Sequence, residues 1–270
     1  MLMVAAALGL LVGLILALTG AGGGVLAVPL LVFGLHQTVQ QAAPIALLAV
    51  AMAATLGAVL AHRQGDLRYK AAALMGGIGL LLSPVGLWLA HRLDTHWLNG
   101  LFALLLLWIA RNSFGSQLKT DVPVEVSDLG KAMFPCVRDD TSGKFIWTLP
   151  CARALALAGA LTGLLSGLLG VGGGFVLVPA LQRFTNLSMK SITATALGVI
   201  AIVSWFGAFN GLHATGMDSR LAAAFSLAAL LGMVGGRGLA ARLPAELMRR
   251  LFGVLCVLVA LLMLKSAFGQ

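Results

Sequence analysis

A glycine-rich interruption in apolar sequence occurs twice in this chain, 150 residues apart, and no other feature limits the fold as strongly. The first copy reads Gly20-Ala21-Gly22-Gly23-Gly24-Val25-Leu26-Ala27-Val28-Pro29. The second reads Gly170-Val171-Gly172-Gly173-Gly174-Phe175-Val176-Leu177-Val178-Pro179, and six of the ten positions are identical. The same offset carries Gly13-Leu14 onto Gly163-Leu164, and Gly86 to Leu93 onto Gly236 to Leu243 with five of eight identities. Self-similarity at a fixed spacing marks a chain made of two copies of one unit. In a membrane protein, corresponding interruptions in two halves point to a transport site.

Composition places those units in a bilayer. The chain is 60% hydrophobic and only 10% charged, far from the balance of soluble domains. Apolar runs near twenty residues, long enough to cross the hydrocarbon as helices, fall at 42–61, 70–91, 98–113, 192–211, 221–241 and 249–267. Runs 2–18 and 151–169 are marginal in length and lead into the interruptions; 25–35 and 175–184 are too short to span. The expected fold is an all-α integral membrane protein of two inverted-topology repeats, each a glycine-broken helical hairpin plus three transmembrane helices. Residues 1–114 form the first repeat, 115–150 a connecting loop and 151–270 the second. The opening run has no charged n-region and recurs within the chain, so it reads as structure and not as a signal peptide.

The net charge of +9 does not point to nucleic acid, because the basic residues are spread among the loops between spans. If each interruption is the tip of a hairpin that returns to its own side, loops 62–70, 111–153, 183–190 and 237–250 share one face. Fifteen of the 18 Lys and Arg residues then lie on that face, leaving Arg92, Arg220 and Lys265 opposite. Lys and Arg accumulate in cytoplasmic loops, so these loops are expected in the cytoplasm of a bacterial inner-membrane protein with both termini periplasmic. Parallel repeats, the rival arrangement, would scatter the basic loops over both faces.

Residues 115–150 break the apolar pattern, and Cys136 to Thr148 read as a β-hairpin around a Ser142-Gly143 turn. Cys136, Cys151 and Cys256 form no CxxC pair, and the first two fall in or beside a loop expected in the cytoplasm, where thiols stay reduced. Neither a disulfide nor a zinc site is expected, and no metal or other cofactor is called for.

Irregular backbone survives at membrane depth only where protein or a water-filled cavity satisfies it. Half-helices starting near Val25 and Phe175 would aim their N-termini at the midplane, with Pro29 and Pro179 in or near the first turn. Such ends carry free N–H donors and about half a positive charge, and glycine lets a ligand reach the backbone. The expected ligand is a small anion, held by Gly22, Gly23, Gly24, Gly172, Gly173 and Gly174. Thr19, Ser166, Thr195 and Asn210 are candidate polar partners, with Thr193 and Ser204 nearby; hydroxyls bonded to the preceding helical turn are the competing account. Arg237, set back one turn from a span end, either snorkels or attracts the anion. His62 and His213, at matching span ends, read as solvated caps before proton carriers. None of the nine acidic residues falls deep in a span, which disfavours cation substrates.

The motifs Gly20-Ala21-Gly22-Gly23-Gly24 with Pro29, Leu165 to Phe175 with Pro179, Thr193-Ala194-Thr195-Ala196-Leu197, and the Cys136-to-Trp147 loop resemble the TauE/SafE family over nearly the whole length. The resemblance implies a secondary transporter that exports sulfite or an organosulfonate such as sulfoacetate, embedded in the lipid bilayer. It leaves the individual anion, the coupling ion, the direction and a homodimer open. A passive anion channel is the alternative, and an intramembrane enzyme a more distant one. The second interruption lacks the Lys-Ser/Thr ending of a phosphate loop, no H-E-x-x-H pair occurs, and Ser166 is not in a G-x-S-x-G elbow, so no catalytic residue is expected.

Overall fold

The computed structural model describes residues 2–20, 23–35, 37–93, 95–115, 136, 148–185, 187–214, 219–240 and 245–268. These form ten helices: α1 Leu2–Thr19, α2 Gly23–Leu35, α3 Val39–Arg63, α4 Tyr69–Arg92, α5 Thr95–Gly115, α6 Leu149–Leu169, α7 Gly174–Phe184, α8 Met189–Ala214, α9 Ser219–Ala240 and α10 Ala245–Phe268. Their order repeats after 150 residues, with a short helix second in each set of five. Six of them (α1, α3, α4, α6, α8 and α9) are long and apolar enough to cross a membrane. Two of the six, α1 and α6, are the runs whose length was marginal in the sequence. The segments expected at 98–113 and 249–267 form α5 and α10, which pack on each other outside that set of six.

Local chemistry fixes the helix ends. At the start of α3, Thr38 Oγ1 accepts the Gln41 amide at 3.4 Å while the Thr38 N–H donates to Gln41 Oε1 at 3.3 Å, a reciprocal capping box. Thr148 caps α6 by accepting the Cys151 amide at 3.3 Å. The far end of α6 closes on Gly170, left-handed at φ 69°, whose N–H donates to Ser166 O at 2.9 Å. Pro29 and Pro179 depart from expectation: they are the seventh residue of α2 and the sixth of α7, beyond the first turn. Each therefore removes one helical hydrogen bond, which frees the carbonyl four residues earlier at Val25 and Phe175.

Small residues set the helix directions. Gly9 and Gly13 of α1 lie against the backbone of Phe225 and Ala229, and Gly232 and Gly236 of α9 against Leu10 and Leu14, so α1 and α9 run parallel. Gly159, Gly163 and Gly167 of α6 meet Met75, Gly79 and Ser83 of α4 in the same way. Small residues four apart let helix backbones touch where lipid gives no hydrophobic drive for association. In contrast, Gly57 of α3 meets Leu197 of α8, while Gly207 and Gly211 meet Leu47 and Pro44, so α3 and α8 run antiparallel. Trp205 Nε1 donates across this pair to Thr55 Oγ1 at 2.9 Å. The first helix of each half thus packs on the fourth helix of the other half. Followed along the chain, these directions put the helix ends at Arg63, Gly115, Leu149, Phe184 and Ala240 on one face. The ends at Leu2, Leu35, Arg92, Ala214 and Phe268 lie on the other.

The cysteine expectation is corrected. Cys136 and Cys151 form a disulfide across 15 residues, and Cys256 is a free, buried thiol in α10. The Cys136 N–H donates to Phe184 O at 3.1 Å and Cys136 bridges Thr185, so it docks at the end of α7. The start of α6 lies on the same face, which brings Cys151 beside it. Sequence spacing alone could not show that neighbourhood. The β-hairpin expected over Cys136 to Thr148 lies, but for its two ends, outside the described residues; among the described residues there is no strand, only that isolated bridge.

Candidate functional site

The two interruptions meet inside the protein. Gly24, at the start of α2, abuts the carbonyl of Val171: a methyl group added to it would sit 2.5 Å from Val171 O and 3.5 Å from Val50 Cγ2. Gly172 faces the other methyl of the same valine, with 3.4 Å to Val50 Cγ1 from the equivalent position. Val50 is the twelfth of the 25 residues of α3, and it is buried. Ile200, its counterpart 150 residues on, also borders Gly172. The meeting point is therefore close to the middle of α3.

Backbone conformation explains the glycines. Gly170, Gly172 and Gly173 have φ of 69°, 75° and 66°, and Gly20 has φ 73°, a region that costs other residues roughly 1–2 kcal/mol. Two left-handed residues in succession turn the chain sharply enough for α7 to start directly after α6 ends. Gly173 is the N-cap of α7 without a side-chain acceptor, and the Val176 N–H turns back to Gly173 O at 3.2 Å. The first amides of α7, at Gly174 and Phe175, have no acceptor within the helix. Gly23 packs on Val12 and Leu16 of α1, closing the first hairpin, and Gly22 lies outside the described residues.

The polar candidates fall into two groups. Thr19 donates to Ile15 O at 2.8 Å. Thr195 donates to Ser191 O at 2.7 Å and accepts the Arg68 amide at 3.3 Å, so it serves the start of α4. Asn210 donates to Phe206 O at 2.8 Å and is exposed. Thr193 is half-buried, with its methyl group against Gly20. Ser166 and Ser204 differ: both are fully buried and neither hydroxyl has a hydrogen-bond partner among the described residues. Ser204 Oγ lies beside Gly172, 2.7 Å from where a methyl group on that glycine would stand. Ser204 was legible only as a nearby hydroxyl, since nothing in the sequence says which serines will skip the bond to the preceding turn.

Arg237 is half-buried in the last turn of α9, His62 is exposed at the end of α3, and the His213 side chain lies outside the described residues. Two cavities of about 20 and 40 Å³ line the α3–α8 seam on the face opposite Arg63 and Phe184. They reach Gly167 and Gly170 at the end of α6, and Ser83, Leu87 and Asn210 contribute to their walls. The larger has room for a few waters.

The family model for the sulfite exporter TauE/SafE matches residues 5–263. The chain belongs to the TauE/SafE family. Among curated relatives of this family member, a probable membrane transporter protein of Xylella fastidiosa (strain 9a5c) is 31% identical over 258 residues, covering 93% of this chain and 90% of the relative. A probable membrane transporter protein of Methanocaldococcus jannaschii is 29% identical, covering 76% of this chain and 70% of its own. The probable membrane transporter YunE of Bacillus subtilis is 23% identical, with 75% of each chain covered. No solved structure matches the chain.

Proposed function

We propose that this TauE/SafE protein is a secondary transporter that exports a small sulfur-containing anion, sulfite or an organosulfonate such as sulfoacetate, across a bacterial inner membrane. The site lies between the two interruptions and opens alternately to each side as the two inverted halves rock. One observation carries this reading: hairpins entering from opposite faces bring Gly24 and Val171 into contact beside mid-helix Val50. Two half-helices then point their N-termini into one buried cluster, and none of the nine acidic residues falls deep in an apolar run of the sequence. The family match and the relatives' names support transport as the activity.

Orientation rests on two signals that disagree. Fifteen of 18 basic residues lie in or beside the connections on the Arg63 face, which would put it in the cytoplasm. The Cys136–Cys151 disulfide on that same face would suit an oxidising compartment. We give precedence to the basic residues, because they are spread over four separate connections and act during insertion, whereas the disulfide is one buried pair that small reductants reach poorly. Both termini are then periplasmic. A C-terminal reporter active only in the cytoplasm should stay silent; a bright one would reverse the assignment.

The test of function is flux into liposomes holding purified protein, with sulfite, sulfoacetate, sulfate and chloride in parallel. Saturable uptake with exchange of a sulfur oxyanion is expected. Unsaturable current would make the protein a channel, and no flux of any anion would reject the proposal.

A further inference from the structure

Five buried or half-buried threonines, Thr19, Thr55, Thr162, Thr185 and Thr195, each donate to the carbonyl four residues earlier, at 2.6 to 2.8 Å. That bond is the ordinary resting place of a hydroxyl inside an apolar helix. Ser204 does not make it. Its side chain is wholly buried, sixteenth of the 26 residues of α8, and its oxygen is turned to Gly172 instead of Ile200 O. A buried hydroxyl without a partner costs roughly 1–3 kcal/mol. A hydroxyl left unpaired beside Gly172, two residues before α7 begins, fits a ligand that supplies the missing partner.

We propose that Ser204 and the opening amides of α7 together form an uncharged donor site for one negative charge, selecting monoanions such as alkylsulfonates and hydrogen sulfite over dianions such as sulfate. This inference rests on the anion-transport reading above and, of the substrates named there, favours hydrogen sulfite over sulfoacetate, whose carboxylate and sulfonate together make it a dianion. The charge count makes the selection. Among the described residues every Lys and Arg lies in a connecting segment or within six residues of a helix end, away from Val50 and Ser204. The positive field at the cluster therefore comes from the starts of α2 and α7, about half a charge each. Two such ends balance at most one unit of charge, because the C-terminal ends of α1 and α6 at the same interruptions carry the opposite sign. A second unit would stay uncompensated among Val50, Ile200 and their neighbours, where burying unpaired charge is costly. Hydroxyl and amide donors suit the three oxygens of a sulfonate, and the serine oxygen can also accept from the proton of hydrogen sulfite.

The experiment is equilibrium binding to the purified full chain in lipid nanodiscs, with methanesulfonate, sulfate and sulfite as probes at pH 6 and pH 8. Methanesulfonate should bind equally at both pH values, sulfate about tenfold weaker or worse, and sulfite several-fold more weakly at pH 8, where it is mostly the dianion. Ser204→Ala should weaken methanesulfonate by about tenfold or more, as expected for a donor to a charged group. Because that hydroxyl has no partner, the variant should melt at the same temperature as the parent or higher. Ser226→Ala removes another orphaned, buried hydroxyl, one that is not a nearest neighbour of any described glycine of the interruptions, and should leave affinity unchanged. Sulfate bound as tightly as methanesulfonate, or full affinity in Ser204→Ala, would overturn this inference while leaving anion transport standing. Failure of the parent to bind all three probes would reject the transport reading and this inference with it.

Discussion

Replacing Gly24 by alanine tests the contact on which the proposed site depends. The backbone of Gly24 is not left-handed, so alanine adds no conformational strain and the perturbation is one methyl group. That methyl would stand 2.5 Å from Val171 O, while ordinary contact begins near 3.4 Å, so the two interruptions must part by about 0.9 Å. Val50 Cγ2 at 3.5 Å does not obstruct it. Overpacking of this size costs about 1–3 kcal/mol, well short of unfolding a protein of this size. Displacements near 1 Å among positioned groups can cost on the order of a hundredfold in function, so flux should drop at least tenfold. Liposome flux, with a melting curve on the same preparation, reads both quantities. Gly77→Ala is the control: that helical glycine has open space around it, and alanine there should be neutral or stabilising by up to about 1 kcal/mol. Parental flux in Gly24→Ala at parental melting temperature would mean that the contact between the interruptions has no part in transport.

Gly173→Ala should be worse for stability than Gly24→Ala, because it combines φ 66° with a methyl group 2.6 Å from Thr162 O; the left-handed strain alone is about 1–2 kcal/mol, and an unchanged melting temperature would contradict the geometry. Gly163→Leu should prevent α4 and α6 from packing, since even a methyl group overlaps the Gly79 backbone, and a monodisperse, normally melting variant would refute that interface. Removing the Cys136–Cys151 bond by Cys136→Ala with Cys151→Ala should lower stability by about 3 kcal/mol, the chain-entropy value for a loop of this length; three labelled thiols in denatured, unreduced parent protein would show that the bond is not there.

The glycine interruptions, the apolar runs and the grouping of basic loops were legible because each rests on local composition. Helix ends came within about four residues of expectation for the same reason. The pairing of α1 with α9 and of α4 with α6 was not legible. Gly9, Gly13, Gly159 and Gly163 announce close packing, but glycines do not name their partners. Thr195 and Asn210 show a second limit: their residue types suit a polar site, yet Thr195 bonds Ser191 and Arg68, and Asn210 bonds Phe206. Which hydroxyl is spent on backbone and which is left over depends on rotamers set by packing, and only coordinates separate Ser204 from Thr195. The disulfide escaped for a topological reason, since it needs the end of α7 and the start of α6 on one face.

The two halves are not chemically equal, and the difference bears on how each mouth loads. Leu87 lies against Gly167 and lines the cavities that reach Gly170 from the face of Arg92. Its counterpart 150 residues on is Arg237, next to Gly236, which packs on Leu14 and Ala17 just before the first interruption. Exchange of the halves therefore sets a guanidinium beside the approach from the Arg63 face, where the other approach has a leucine. Under the proposed orientation an anion leaving the cytoplasm meets a cation on the way in, and Leu87 beside the uncharged Ser83 and Asn210 on the way out. Such a gradient raises the local anion concentration at the cytoplasmic mouth. The asymmetry alters how readily each mouth loads, while the net direction follows the gradients of the anion and of any coupled ion.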